Sequence, residues 1–558
     1  MTDTAKLVYV ALGGAGEIGM NLYLYGYGPV KDRRWIMVDC GVSFGDMDSA
    51  PGIELVMPDI GFLDEIRDRV DGVFITHAHE DHIGALGRLW PRIKAPFISA
   101  PLFTAEIARR KMSECGQPAQ VVKTAKWDKP VKAGPFSVTF LPVTHSIPDP
   151  AMLIIDTPVG RIVHTGDFKL DPDPIIGRPT DMDRLRQIGD EGVLALMSDS
   201  TNIFEDGESG GEQPLRPHLK RLIADAPGAV AATTFASNVG RLKTLAEVAV
   251  ECGRSVVVAG RAMSRMIETA METGALKGFP ALTPDDRARD IPSENLFYLI
   301  TGSQGEGRAA LARIADGSHP TVKLKEGDTV LFSSKTIPGN EKGVYALYNR
   351  LSVQGIEVVD SEMEPIHVSG HGRRDEIERV YKALRPKIAV PVHGEHRHLV
   401  EHSLLAADWG GASVVAPNGS MVGLDLKKPR IVRHIETGRL YLDGDVLVGA
   451  TDGVIRARLK MARQGHVAIS VVIDEDGELF ADPQVRVEGG PATGRNGQKL
   501  GAVIVDRIDA AITSASKREL RSDDKVEELV ERVAKRACMD IWGKKPVTAV
   551  IVTRLEAE

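Results

Sequence analysis

Residues 72–90 read Gly-Val-Phe-Ile-Thr-His-Ala-His-Glu-Asp-His-Ile-Gly-Ala-Leu-Gly-Arg-Leu-Trp, and the segment Thr76-His77-Ala78-His79-Glu80-Asp81-His82 decides the fold. A β-rich run, GVFIT, enters it and an apolar helical pattern, IGALGRLW, leaves it, so the segment is a strand-to-helix turn. One histidine at such a turn is ordinarily structural. Three imidazoles and a ligand-type carboxylate packed this densely call for a metal. His77 and His79 are two residues apart in an extended segment, so they leave the same face and can grip one ion. Asp81 and His82, at the turn into the helix, can reach a second ion beside the first. The spacing is unlike HExxH, in which the two histidines lie one helical turn apart.

Further ligands of suitable type follow other β-rich runs. His145 comes after TFLPV, Asp167 after RIVH in TGD, and His393 after AVPV in VHGE. Each alone reads more simply as structural, but together they complete two sites. His164 lies inside a strand and reads as structural. His396, His398 and His402 recur along one helical stretch and are expected to be mostly exposed.

Outward from these motifs, the first 205 residues alternate short β-rich runs with Gly- and Pro-marked turns and few helices, which suggests an α/β sandwich. Between about 213 and 362 the rhythm becomes strand, helix, strand, helix, which is the pattern of a parallel, doubly wound sheet. The strand ends there carry TFASN, AGRAMSR, TGSQGEGR and SSKTIPGNE, small and polar, where such sheets bind ligands. Near 363 the β-rich style returns, so the middle block reads as an insertion into the first domain. The resulting division is 1–210 and 363–425 for the first domain, 211–362 for the insertion, 426–455 for a linker and 456–558 for a small α/β module. In that module two late helices are expected around AAITSASKREL and KVEELVERVAKRA.

A chain of 558 residues exceeds one ordinary core, and 43% hydrophobic with 26% charged residues is a soluble globular balance. No stretch has the apolar length to cross a bilayer, and the N-terminus reads as a strand rather than a signal peptide. Cys40, Cys115, Cys252 and Cys538 are scattered and form no CxxC pair, which suits a reducing cytoplasm. The net charge of −8 is no mark of a general nucleic-acid binder, although a local basic groove is compatible with it.

Gly14-Ala15-Gly16-Glu17-Ile18-Gly19 matches GxGxxG, with Asp39 about twenty residues on. The dinucleotide reading fails on context, because NLYLYGYG after it alternates like a strand where a helix is required. A tight glycine turn between strands is the better reading.

THAHEDH, THS and TGD, with Asp39 in MVDCG, resemble the successive motifs of the metallo-β-lactamase superfamily. By that resemblance His77, His79 and His145 hold one zinc, Asp81, His82 and His393 hold the second, and Asp167 bridges them. Ser198-Asp199-Ser200-Thr201-Asn202, His367-Val368-Ser369-Gly370-His371 and Pro391-Val392-His393-Gly394-Glu395 resemble motifs A, B and C of the β-CASP group, which acts on nucleic acid. ALGGAGEIGMN, SSKTIPGNE and HVSGH are similar to the ribonuclease J family, a similarity that spans essentially the whole chain.

The resemblance implies a metallo-β-lactamase αββα sandwich, an inserted β-CASP domain and a small C-terminal domain associated with self-assembly as a dimer or tetramer. It implies two zinc ions, with manganese or magnesium as alternatives, and hydrolysis of single-stranded RNA from a 5′-monophosphate end with endonucleolytic action beside it. His371, assisted by Asp199, is the candidate for stabilising phosphate charge or protonating the leaving 3′ oxygen. His367, Ser369, Gly370, Ser237, Asn238, Ser303 and Ser334 are candidates for substrate contact. Arg241, Arg261, Arg265 and Arg308 either line the RNA path or sit on solvated helix faces. Other RNA-decay proteins are expected partners. The competing readings are a β-CASP endonuclease acting on RNA 3′ ends or DNA, and a non-catalytic metal-bearing RNA scaffold.

Overall fold

The strand Ala151–Thr157 shows how the sequence builds its layers. Successive side chains leave opposite faces of a strand. Leu153 and Ile155 share a core with Tyr9, Tyr25 and Phe74, while Met152 and Ile154 pack on the other side with Leu185, Ile188 and Val380. In the computed structural model, which describes residues 5–555, the first core lies between two sheets and the second lies under helices. One sheet has eight strands in the spatial order Arg430–His434, Ser420–Gly423, Leu7–Gly13, Leu22–Tyr27, Arg34–Val38, Val70–Phe74, Ile98–Ala100, Val122–Thr124. The other has seven, in the order Pro130–Ala133, Phe136–Pro142, Ala151–Thr157, Gly160–His164, Ala195–Asp199, Ile388–Val392, Ala412–Ser413. This is the αββα sandwich read from the sequence.

The inserted block leaves and re-enters that second sheet between neighbouring strands. Ala195–Asp199 pairs in parallel with Ile388–Val392, Asp199 opposite Val392, so Asp199 and His393 emerge at the same edge. The insertion has its own five-stranded sheet, wholly parallel, in the order Ser255–Ala259, Leu296–Ile300, Val230–Thr233, Thr329–Phe332, Glu357–Val359. Val230 and Ala232 face one core and Ala231 another, as a doubly wound sheet with helices on both faces requires. Ser237, Asn238, Ser303 and Ser334 follow the carboxyl ends of its strands.

By its internal packing the chain divides into one unit of Met1–Ser43 with Met57–Arg439, and a second of Phe44–Val56 with Leu440–Glu558. In the second, the strands Leu479–Glu488, His466–Ile473 and Val547–Arg554 form a sheet covered by the helices Leu500–Ser514 and Asp523–Ile541. Val526 and Val530 are buried in that core, so the apolar face of the helix Asp523–Ile541 packs inside the module. The first helix starts ahead of AAITSASKREL and stops at Ser514, where Ser516 caps a separate short turn, Lys517–Leu520. The stretch read as a linker carries the strands Arg430–His434, Arg439–Asp443 and Val446–Gly449. These strands are short, with most positions half-buried or exposed and few fully buried, so they lack the clear burial alternation that announces a strand.

Candidate metal centre

The strand Val70–Phe74 delivers His77 and His79 in extended backbone, and the turn Glu80–Ile83 then lifts Asp81 and His82 beside them. Gly41 packs against this turn so closely that a Cβ there would meet the Asp81 carbonyl oxygen at 1.6 Å. Asp39 and His393 both hold the left-handed region, at φ 61° and 51°. Such strain in non-glycine residues persists only where surroundings fix it, and it clusters at functional sites.

The structure brings together every sequence-derived ligand candidate. His77, His79, His145 and Asp167 form one group, and Asp81, His82, Asp167 and His393 form a second that shares Asp167. His77 Nε2 and His145 Nε2 each lie 3.0 Å from His79 Nδ1. His82 Nε2 lies 3.1 Å from Asp167 Oδ2, and His393 Nε2 lies 3.0 Å from Asp81 Oδ2.

Four of the rings use their other nitrogen elsewhere. His77 Nδ1 meets the Thr76 hydroxyl at 3.0 Å, His82 Nδ1 the Asp39 carboxylate at 2.8 Å and His393 Nδ1 the Thr201 hydroxyl at 2.7 Å. His145 Nδ1 donates to the Gly370 carbonyl at 2.6 Å, and a Cβ on Gly370 would stand 2.8 Å from that ring. An engaged outer nitrogen with the inner one turned to a common point is how metal-bound histidines are held.

The electrostatics divide the groups. Burial first, then neighbouring imidazoles, pushes His77 and His145 far below the usual histidine range, and burial takes His79 to about 4. These three rings are neutral lone-pair donors facing one another. Burial opposes charge on His82 too, but Asp167, Asp81 and Asp39 outweigh it and raise the ring to about 10. His393 is raised in the same way, chiefly by Asp167. Asp167 Oδ1 is buried with no hydrogen-bond partner. Converging neutral imidazoles around an orphaned carboxylate oxygen fit a divalent cation, and this donor set fits zinc chemistry.

His371 stands against the same cluster. Its Nδ1 lies 2.8 Å from Asp199 Oδ2, whose other oxygen accepts from the Thr201 backbone N–H and hydroxyl. Burial would lower the pKa of His371, but Asp199 and Asp167 overcome it and raise the ring above its ordinary value. Asn202 donates to Ser369 Oγ and to the His371 carbonyl, both at 2.9 Å, which sets the backbone of the loop.

The remaining candidates are not all brought in. Ser369 and Gly370 touch the centre through Asn202 and His145. Asn238 is engaged as a helix cap, accepting from the Arg241 N–H at 3.0 Å. Ser303 and Ser334 are buried and Ser237 half-buried at strand ends, without hydrogen bonds to the histidine cluster. His367 is pushed to about 3 by burial and then by Arg241.

Two sequence expectations are corrected. Arg241 is on no solvated face: it is fully buried, bidentate to Glu212 at 2.8 and 3.0 Å, and bonded to Ser333 and the Ile366 carbonyl. Its first-turn position on the buried helix Val239–Glu251 turns it into the interior of the insertion. His398 and His402 are also buried, because the helix His396–Asp408 turns that face onto the sheet, and His402 Nδ1 meets the Ser200 hydroxyl at 2.9 Å.

Sequence reasoning missed Glu376. Its fully buried carboxylate accepts from Leu170 N at 2.7 Å, Ser209 N at 2.6 Å, Ser209 Oγ at 3.0 Å and Arg373 N at 2.9 Å. Those donors belong to the loop after Asp167, the entry to the insertion and the loop after His371. The available signal was an acidic residue at the third position of a helix, where it can reach back to the chain entering it.

Known proteins bear on this geometry. The family description Metallo-beta-lactamase superfamily matches residues 19–231, and Zn-dependent metallo-hydrolase RNA specificity domain matches 355–417. Ribonuclease J, beta-CASP domain, matches 227–351, and Ribonuclease J C-terminal domain matches 453–555. Ribonuclease J of Sinorhizobium meliloti is 41% identical over 556 residues, covering 100% of this chain and 98% of that one. The chain belongs to the ribonuclease J family. Family members from Corynebacterium glutamicum, 36% identical over 98% of this chain and 76% of theirs, and Thermus thermophilus, 32% identical over 97% and 94%, agree. The family's order of parts, a metallo-β-lactamase domain interrupted by β-CASP and followed by a C-terminal domain, is the order found here.

Proposed function

We propose that the chain is a metal-dependent ribonuclease that trims single-stranded RNA 5′ to 3′ from monophosphate ends, with endonucleolytic cleavage as a second mode. The observation that carries this reading is the position of Asp167, common to both ligand groups and within 3.9 Å of His371 Nδ1. His77, His79 and His145 would hold one Zn2+, and Asp81, His82 and His393 the other, with Asp167 shared; Mn2+ and Mg2+ are the alternatives. When bound, such ions supply Lewis acidity, which makes water a stronger acid and offsets charge on a phosphate.

The chain's own groups do the rest. Asp199 fixes the His371 ring through Nδ1 and leaves Nε2 free to carry a proton toward substrate. As the oxygen of water bonds to phosphorus and gives up a proton to solvent, the bond from phosphorus to the 3′ oxygen breaks and the Nε2 proton passes to that leaving oxygen. His371 regains a proton from solvent before the next turnover. Asp39, Thr76, Thr201 and the Gly370 carbonyl keep the other histidines oriented throughout. Ser369, Gly370, His367, Ser237, Asn238, Ser303 and Ser334 remain the candidates for phosphate contact. The same reading makes the enzyme a cytoplasmic homodimer or homotetramer acting beside other RNA-decay proteins.

The test is digestion of 3′-labelled and 5′-labelled single-stranded RNA bearing 5′-monophosphate or 5′-hydroxyl ends, with His77→Ala and chelator-treated protein alongside. Mononucleotides released only from monophosphate ends, and lost in both controls, are expected. Internal cuts indifferent to the 5′ group would make the enzyme an endonuclease. No cleavage by metal-replete protein would leave the RNA-binding scaffold.

A further inference from the structure

The C-terminal unit is electrically lopsided. Within residues 453–555 Lys and Arg number 18 and Asp and Glu 15, whereas 44–56 and 440–452 of the same unit hold six acidic residues and no Lys or Arg. The acidic residues gather toward the Asp474–Glu478 hairpin and the start of the helix Asp523–Ile541, where Arg554 pairs with Asp523. At the opposite end of the sheet, where His466, Glu488 and Val547 lie in register, Glu488 is paired with Arg486 and Asp540 with Arg507, and further cations stand beside them.

That end is a built structure. The helix Val454–Gln464 buries none of its residues and carries Arg456, Lys460 and Arg463 at spacings that share one face. Lys544 donates to the Arg463 carbonyl at 2.9 Å and lies 5.9 Å from the Trp542 ring centre. Trp542 in turn wedges between two glycines: a Cβ on Gly465 would lie 2.8 Å from its ring and one on Gly490 3.2 Å. Through Gly490 the ring holds the glycine-rich loop 489–497, and the Arg495 N–H fastens that loop to the Ile541 carbonyl at 3.0 Å. Arg456, Lys460, Arg463, Arg495, Lys544 and Lys545 are all exposed, and none forms an ion pair with a carboxylate among the described residues.

The six cations stand on segments that these contacts tie together, and a polyanion would find there charges that no carboxylate of the described residues pairs with. A single small anion would be met by converging buried donors. Here the charges are exposed and spread along a helix, a loop and a strand entry, which matches a chain of phosphates. We propose that this end of the C-terminal unit is a second, non-catalytic binding surface for the phosphate backbone of single-stranded RNA. It rests on the reading of the chain as a ribonuclease, and it supplies a hold on long RNA that is independent of the reacting end.

The test uses the full chain with His77→Ala as a non-cleaving host, alone and with Arg463→Gln, Arg495→Gln and Lys544→Gln together. Binding of a 40-nucleotide single-stranded RNA is followed by fluorescence anisotropy from 0.05 to 0.5 M salt. Three lost phosphate contacts should lower the slope of log Kd against log salt by about 2 and raise Kd on the order of 100-fold near 0.1 M. With His77 restored, the triple substitution should leave kcat on saturating short RNA unchanged and raise KM on long RNA. An unchanged slope and Kd would overturn the surface while leaving the nuclease intact. Loss of binding to phosphatidylserine vesicles with RNA affinity unchanged would reassign the surface to membranes and overturn it equally. Failure of the host and the wild type to bind or cleave any RNA would sink the ribonuclease reading itself.

Discussion

Replacing Glu376 by glutamine removes one oxygen acceptor and a charge while keeping the side chain's shape. Its two oxygens face different partners: Oε2 receives the backbone N–H groups of Ser209 and Arg373, and Oε1 receives the Leu170 N–H and the Ser209 hydroxyl. The hydroxyl can turn and accept, but a backbone N–H cannot. The amide NH2 therefore takes the Oε1 position, which leaves the Leu170 N–H facing another donor in a dry site. An orphaned buried donor costs about 1–3 kcal/mol, and loss of charge on the remaining bonds adds about 1 kcal/mol. The local cost is about 2–4 kcal/mol, equivalent to opening that is roughly 30- to 700-fold more frequent. Hydrogen exchange followed by mass spectrometry on peptides covering 168–172, 207–211 and 372–376 reads this directly. The three segments should lose protection together and kcat should fall, because they carry the backbone beyond Asp167 and His371. Wild-type exchange in all three segments would refute Glu376 as the common tie.

Arg241→Met should cost about 3–5 kcal/mol, because it strands Glu212 in the interior, and adding Glu212→Leu should recover much of it in urea unfolding. His164, His367 and His402 are each pushed to about 3 by burial. The unfolded chain takes up these protons below its ordinary value of about 6.5 and the folded chain does not. Stability should therefore fall as pH drops from about 6.5 toward 3, by up to about 1.4 kcal/mol per pH unit for each ring. His402→Gln should flatten that slope, measured as urea midpoint against pH. Asp199→Asn should cut kcat by roughly 10²- to 10⁴-fold through His371 while zinc bound per chain, measured by atomic absorption, stays unchanged.

Much of the centre was legible because metal ligation imposes residue type and spacing locally. His77, His79, Asp81 and His82 stand in one turn, and His145, Asp167 and His393 each follow a recognisable strand. The insertion was legible because its period changes from two to a strand–helix alternation. What stayed hidden was set by partners remote in sequence. Arg241 looks like any helix cation until Glu212, Ser333 and Ile366 close around it. Glu376 looks like a surface acid beside Arg373 and Arg374 until three loops converge on it. His402 reads as exposed because its neighbours His396 and Glu401 are polar, and only the docking of the helix on the sheet buries its face.

The parallel pairing of Ala195–Asp199 with Ile388–Val392 has a historical implication. Parallel neighbours are joined only through a crossover, which the helix Arg374–Leu384 supplies. The inserted domain departs and returns ahead of that helix, where Asn202 donates to the His371 carbonyl at 2.9 Å and the Arg374 N–H to the Glu205 carbonyl at 3.0 Å. Lengthening a connection whose ends already meet costs little, about 0.6 kcal/mol for each doubling. The hydrolase scaffold could therefore have acquired its insertion in one event without surrendering a strand, and the graft placed Asp199 before it and His371 and His393 after it around one reaction centre.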